Sequence, residues 1–111
     1  MTIFEKVAAH EIPAKIVFED ADVIAFHDVN PQAPVHVLII PKKVIATHDD
    51  LTTADKELIG HMHLTAVQLA KQLGLGDGYR VVVNCKGYGG QTVPHLHMHL
   101  LGGRHLGWPP G

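Results

Sequence analysis

Three histidines at alternate positions, His95, His97 and His99, occupy the stretch Pro94-His95-Leu96-His97-Met98-His99-Leu100-Leu101. An imidazole titrates near neutrality and serves both as a nucleophile and as a proton carrier. Three readings of the stretch compete. In the first, the alternation is merely polar and any solvated residue would serve; three imidazoles in three positions argue against it. In the second, the histidines bind zinc. His95 and His99 would start about 13 Å apart on an extended strand, whereas zinc takes its nitrogen ligands at about 2.0–2.1 Å. The three cannot easily converge on one ion, although two of them plus His36 could. In the third, one ring attacks while its neighbours orient it or move protons. The third reading is favoured, and it calls for no metal and no cofactor.

The segment just before the histidines suggests what is attacked. Gly89-Gly90-Gln91-Thr92-Val93 offers backbone N–H groups, with glycines that let a ligand come close. Backbone nests of this kind bind phosphate oxygens. A plain hairpin loop also uses Gly-Gly, so it is the adjacency to the histidines that points to a phosphorus centre. Asn84, ending the preceding β-rich run, is either a further donor or an ordinary turn residue.

A strict period of two predicts that residues 95–101 form a half-buried strand, with Leu96, Met98 and Leu100 facing the core and the three imidazoles in a row opposite. Upstream, Thr2 and Glu5 form a capping-box pattern opening a short helix to about His10, stopped by Pro13. Residues 15–19 and 23–27 read as a hairpin around Asp20-Ala21-Asp22. The nearly continuous apolar run 35–40 predicts a central strand closed by Pro41. From Thr52, apolar residues recur at helical spacing (Leu58, Met62, Ala66, Leu69, Leu73) until Gly74. Residues 79–84 predict another strand, 86–91 a glycine-rich loop and 102–111 an irregular tail. The expected fold class is α+β: an antiparallel sheet of about five strands, one long helix and a short N-terminal helix.

At 111 residues, one domain spanning 1–111 is expected. A net charge of −2 and a pI of about 6.5 leave no basic field for gripping DNA or RNA. The single cysteine, Cys85, excludes an intramolecular disulfide and suits a reducing cytosol. No apolar run approaches the roughly 20 residues that span a bilayer, so a cytoplasmic protein with no membrane partner is expected.

These residues resemble the histidine triad family. The likeness runs through Ile3-Phe4, Glu11-Ile12-Pro13-Ala14-Lys15, Phe26-His27-Asp28, Pro31-Gln32-Ala33-Pro34, Ile40-Pro41-Lys42-Lys43, Gly78-Tyr79-Arg80, Gly89-Gly90-Gln91, Leu101-Gly102-Gly103-Arg104 and Trp108-Pro109-Pro110-Gly111. Matched segments in this order are similar to the branch of histidine triad nucleotide-binding proteins. The resemblance implies a homodimeric purine nucleoside phosphoramidase that cleaves the P–N bond of adenosine or guanosine 5′-phosphoramidates through a nucleotidyl-histidine. It implies His97 as nucleophile, His99 on the phosphate, His95 in support and His36 as the orienting or relaying fourth histidine. Asp28 would bind the ribose, and Phe26, Val29, Ile3 and Phe4 would sandwich the base. Asn84, Gly90, Gln91, Thr92 and Val93 would hold the phosphate, with the Thr92 hydroxyl assisting the leaving group. Thr92 stands where many members carry Ser, and Pro94 where many carry an aromatic residue.

Trp108, in an irregular tail, is expected at the dimer interface or the substrate rim, since Trp is enriched at interfaces. His10, His48, His61, His63 and His105 are expected in surface or structural roles. Two further functions compete with the phosphoramidase: a nucleotide-binding regulatory module with little turnover, and a hydrolase of dinucleoside polyphosphates.

Overall fold

The computed structural model describes residues 1–111, and its chain builds one five-stranded antiparallel sheet with helices against both faces. The elements are α1 (Ile3–Ala8), β1 (Ile16–Glu19), β2 (Val23–His27), β3 (Val35–Pro41), α2 (Lys56–Gln72), β4 (Tyr79–Val82), α3 (Lys86–Gly89) and β5 (Met98–Gly102). Strand order is β1-β2-β3-β5-β4, so β3 and β5 pair in the middle although 56 residues separate Pro41 from Met98 — the whole of α2, β4 and α3 intervenes. The α+β class, the long helix and the short N-terminal helix are as the sequence predicts.

Side-chain alternation sorts the sheet into two faces. Val23 and Ala25 of β2, Val37 and Ile39 of β3, and Met98 and Leu100 of β5 pack under Met62, Ala66 and Leu69 of α2. The residues between them, Ile24, Phe26, Leu38 and Ile40, pack with Phe4 and Val7 of α1 on the opposite face. Both faces being covered explains why β2 and β3 read as nearly continuous apolar runs. The histidines His36, His97 and His99 share the α1 face by the same alternation.

The helix ends behave as capping chemistry demands. Thr2 accepts from the Glu5 N–H at 3.1 Å while the Glu5 carboxylate accepts from the Thr2 N–H, so the capping box is complete. Asp20 Oδ1 accepts from the N–H groups of Asp22 and Val23, which makes the β1–β2 turn. Gly74 terminates α2 with φ +75°.

The differences from the sequence reading that bear on the site lie around β4 and β5. Strand β5 begins at Met98, not His95. Pro94 offers no N–H, and the Leu96 N–H is taken at 2.7 Å by the carbonyl of Ile45 in the β3–α2 loop, so residues 95–97 leave the ladder. Strand β4 stops at Val82, and part of the expected loop, Lys86–Gly89, is a single helical turn.

Candidate active site

The expected row of three triad imidazoles is not what the fold builds. His95 is fully buried beneath Phe4, and its Nε2–H donates at 2.8 Å to the carbonyl of Pro41. The row is instead His36, His99 and His97, with ring centroids 5.1 and 4.9 Å apart in succession. His95 leaves the row because its segment is bent away from the strand by the Ile45 and Pro41 carbonyls.

The partners assign the protons, because a carbonyl oxygen can only accept and a backbone N–H can only donate. His97 Nδ1 lies 2.7 Å from the carbonyl oxygen of His95, so Nδ1 carries the hydrogen and Nε2 keeps a free lone pair. Gln32 donates its backbone N–H to His36 Nδ1 at 3.0 Å, so a neutral His36 carries its hydrogen on Nε2. That Nε2–H points at His99 Nδ1, 2.9 Å away, with Asp28 Oδ2 3.4 Å from the same nitrogen. His99 therefore accepts on Nδ1 and carries its own hydrogen on Nε2. His99 Nε2 is buried and has no partner. The site thus holds one buried donor without an acceptor, beside a ring with an unused lone pair.

Electrostatics keep these rings neutral near pH 7. Burial lowers His97 below the ordinary 6.5, reinforced by the His95 ring and opposed by the His95 carbonyl and Asp28. Burial, with His97 and His36 adding to it, takes His99 down to about 4, against the pull of Asp28. Burial also lowers His36, again opposed by Asp28.

The loop before β5 is rigidly braced. Gln91, expected on the phosphate, spends its side chain on the backbone: Oε1 accepts from Lys86 N–H at 2.8 Å, and Nε2 donates to Ala46 and Val93 carbonyls at 2.8 and 2.9 Å. The N–H groups of Gly90 and Gln91 are likewise used within the turn. Those of Thr92 and Val93 have no partner in the chain, nor has the exposed Thr92 hydroxyl. The Asn84 amide lies against Gly90, with Nδ2 about 4.0 Å from where a Cβ would stand.

Of the expected base-binding residues, Phe26 and Phe4 are buried and meet edge to face at 5.7 Å, and Phe4 also abuts His97 at 4.9 Å. Ile3 and Val29 are exposed. Asp28 is half-buried; its Oδ1 accepts from the Asn30 N–H at 2.8 Å, leaving Oδ2 toward the histidines. Trp108 is 83% exposed, in a tail whose Leu106 and Gly107 carbonyls are held by Arg80. Gln32 and the carbonyls of Pro41, Ile45 and Ala46 had no assigned role in the sequence reading. They act through the main chain, which residue type does not reveal.

Residues 9–106 match the HIT domain family. The chain belongs to the HIT family. This HIT chain is 51% identical to a maize protein named 14 kDa zinc-binding protein, over 99% of the chain and 88% of that protein. It superposes with TM-score 0.99 on the crystal structure of a HIT family hydrolase from Legionella pneumophila, at 52% identity and full coverage of both chains. It also superposes with TM-score 0.84 on a histidine triad nucleotide-binding protein from Candida albicans, at 31% identity over 98% of this chain and 83% of that one.

The maize protein's name raises zinc, and Asp28, His36 and His99 do bring three ligand atoms within 4.8 Å of one another. The ring chemistry of this HIT protein does not fit that ion. Zinc needs the lone pair of each ligating nitrogen. His36 Nδ1 already uses its lone pair on the Gln32 N–H, so a metal on Nε2 would require His36 to lose its remaining N–H and become an imidazolate anion. The cluster is a hydrogen-bond relay.

Proposed function

We propose that the protein is a purine nucleoside phosphoramidase. The observation that carries this reading is the free Nε2 lone pair of His97 beside the unpartnered Nε2–H of His99. A nucleophile beside an oxyanion donor fits attack on phosphorus. In the first half-reaction His97 Nε2 forms a bond to phosphorus as the P–N bond breaks, and the amine departs with its electron pair and a proton. The Nδ1–H bond to the His95 carbonyl stabilises the imidazolium so formed. The proton comes from solvent and reaches the departing nitrogen by way of the exposed Thr92 hydroxyl. In the second half-reaction water bonds to phosphorus as the bond to His97 Nε2 breaks, its proton returns to solvent, and nucleoside monophosphate leaves.

The N–H groups of Thr92 and Val93, with Asn84 and His99 Nε2–H, hold the phosphate oxygens. Gly90 and Gln91 shape that loop. Asp28 accepts the ribose hydroxyls, and the exposed Ile3 and Val29 offer apolar surface to the purine in front of Phe4 and Phe26. The chemistry belongs to a hydrolase, as the Legionella protein is titled, and its substrate is a nucleotide, which the Candida protein's name says that protein binds.

The working form is a homodimer with two-fold symmetry. Strand β4 is a sheet edge, and Leu64 and Val67 of α2, Tyr79 and Trp108 are exposed. A second copy covers that edge and receives the tail. A monomer by light scattering at micromolar concentration would contradict it.

The test is a turnover panel of adenosine and guanosine 5′-phosphoramidates against matched dinucleoside polyphosphates. Phosphoramidate cleavage should dominate. Preference for the polyphosphates would replace this reading, and binding without turnover of either would make the protein a nucleotide-binding module.

A further inference from the structure

Arg104 lies outside the histidine site, exposed, one residue past a glycine in the tail. Its Nη2 and Nε donate to the Gln32 carbonyl at 3.0 and 3.4 Å, and its Nη1 to the His105 carbonyl at 2.9 Å. Gln32 is the residue whose N–H reaches His36 Nδ1. The loop that carries it is also tied at Asp28, whose N–H donates to the His36 carbonyl at 2.9 Å and whose carboxylate caps the Asn30 N–H. The Gln32 side chain donates to the Asn30 carbonyl at 3.1 Å, and Arg104 is the side chain that holds the Gln32 carbonyl. Gly103 lets the tail run directly against this loop. Its φ is +90°, and a Cβ there would come within 2.9 Å of Pro34 Cβ.

We infer that Arg104 is a positioning residue for the histidine site: by holding Gln32, it fixes which nitrogen of His36 carries the proton. The inference rests on the proposed phosphoramidase for its kinetic consequence, though not for its structural one. With the Gln32 N–H in place, the neutral His36 has only its Nε2–H tautomer. That tautomer donates to His99 Nδ1 and so keeps the His99 hydrogen on Nε2, where the phosphate binds. Released from Gln32, His36 can carry its hydrogen on Nδ1 instead. Its Nε2 lone pair then faces His99 Nδ1, and that bond survives only if His99 moves its hydrogen to Nδ1. His99 would then present a lone pair to an anionic phosphate. The charged or titratable groups facing His36 are Asp28 from the loop after β2 and His99 from β5, with His97 behind it.

The test uses the full chain, with Arg104→Met and with Arg104→Lys, which keeps the charge and loses the fork. Long-range ¹H–¹⁵N spectra of the histidine rings at neutral pH should show well-separated Nδ1 and Nε2 shifts for His36 in the wild type. Both variants should bring the two shifts together. The kcat for adenosine 5′-phosphoramidate should fall about tenfold. Unchanged separation in both variants overturns the inference, and so does merged shifts with unchanged kcat. Absence of phosphoramidate turnover in the wild type would strike the proposed function alone, because the nitrogen shifts still decide whether Arg104 holds the tautomer.

Discussion

His36 Nε2 stands 2.9 Å from His99 Nδ1, across the paired strands β3 and β5. One hydrogen in that gap decides the state of two rings. Because Gln32 already occupies the far side of His36, the hydrogen belongs to His36, and His99 carries its own on the unpartnered Nε2. Replacing His36 by Phe removes that hydrogen while keeping a ring of similar volume. Turnover should drop by about 10²–10⁴, while affinity for nucleoside monophosphate stays within about tenfold. Steady-state kinetics with equilibrium binding on the same preparation checks both. Equal losses in the two would mean that His36 only holds the pocket's shape.

The neutral rings set a pH dependence. His97, His99 and His36 all have pKa values below 6.5 in the folded chain, His99 at about 4. A nucleophile with a lowered pKa keeps its lone pair into mild acid. The pH profile of kcat/KM should therefore stay flat from pH 7 past 6.5 and fall only at more acidic pH. Stability follows the same direction. Between the folded and unfolded pKa values the unfolded chain binds more protons, so stability is complete above about 6.5 and declines as pH falls toward about 4. An acid limb centred above pH 6.5 in the kinetics would contradict the burial argument.

In the proposed function Asp28 carries two duties that substitution can separate. Its Oδ1 caps Asn30, which an Asn side chain can still do, whereas two ribose hydroxyls need the carboxylate. Asp28→Asn should weaken nucleotide binding by about 1.5–3 kcal/mol per lost charged hydrogen bond with little change in Tm. A 2′,3′-dideoxy nucleotide should suffer a comparable loss on the wild type and none further on the variant. Additive losses would place the aspartate away from the ribose.

Metal removal should be silent. Exhaustive dialysis against a chelator should leave turnover unchanged, because His36 has no lone pair to give an ion while Gln32 holds it. Activity lost to the chelator and restored by zinc would overturn the relay assignment.

The sequence carries the elements that rest on local pattern. The spacing of Leu58, Met62, Ala66, Leu69 and Leu73 marks α2, Thr2 with Glu5 marks α1, and the Asp20 turn marks the hairpin. Family resemblance adds His36 and Asp28, which the fold brings beside His99. What pattern could not show depends on main-chain groups, whose partners residue type does not reveal. His95 is drawn out of the row by the Pro41 carbonyl and, through Leu96, by that of Ile45. The Gln91 side chain is consumed by Lys86, Ala46 and Val93, where the resemblance implied a contact with the phosphate. Tautomers depend on a peptide N–H at Gln32 that no residue type announces.

The central claim is that His97 Nε2 bonds to phosphorus, and trapping that bond tests it most directly. The wild type, mixed with an adenosine 5′-phosphoramidate and quenched within milliseconds without acid, should yield a nucleotidyl adduct by mass spectrometry. Peptide fragmentation should place the adduct on His97, between unmodified His95 and His99. His97→Ala should give no adduct and lose about 10⁴–10⁶ in turnover, while still binding nucleoside monophosphate. An adduct on His95 or His99, or full turnover in the variant, would contradict the account.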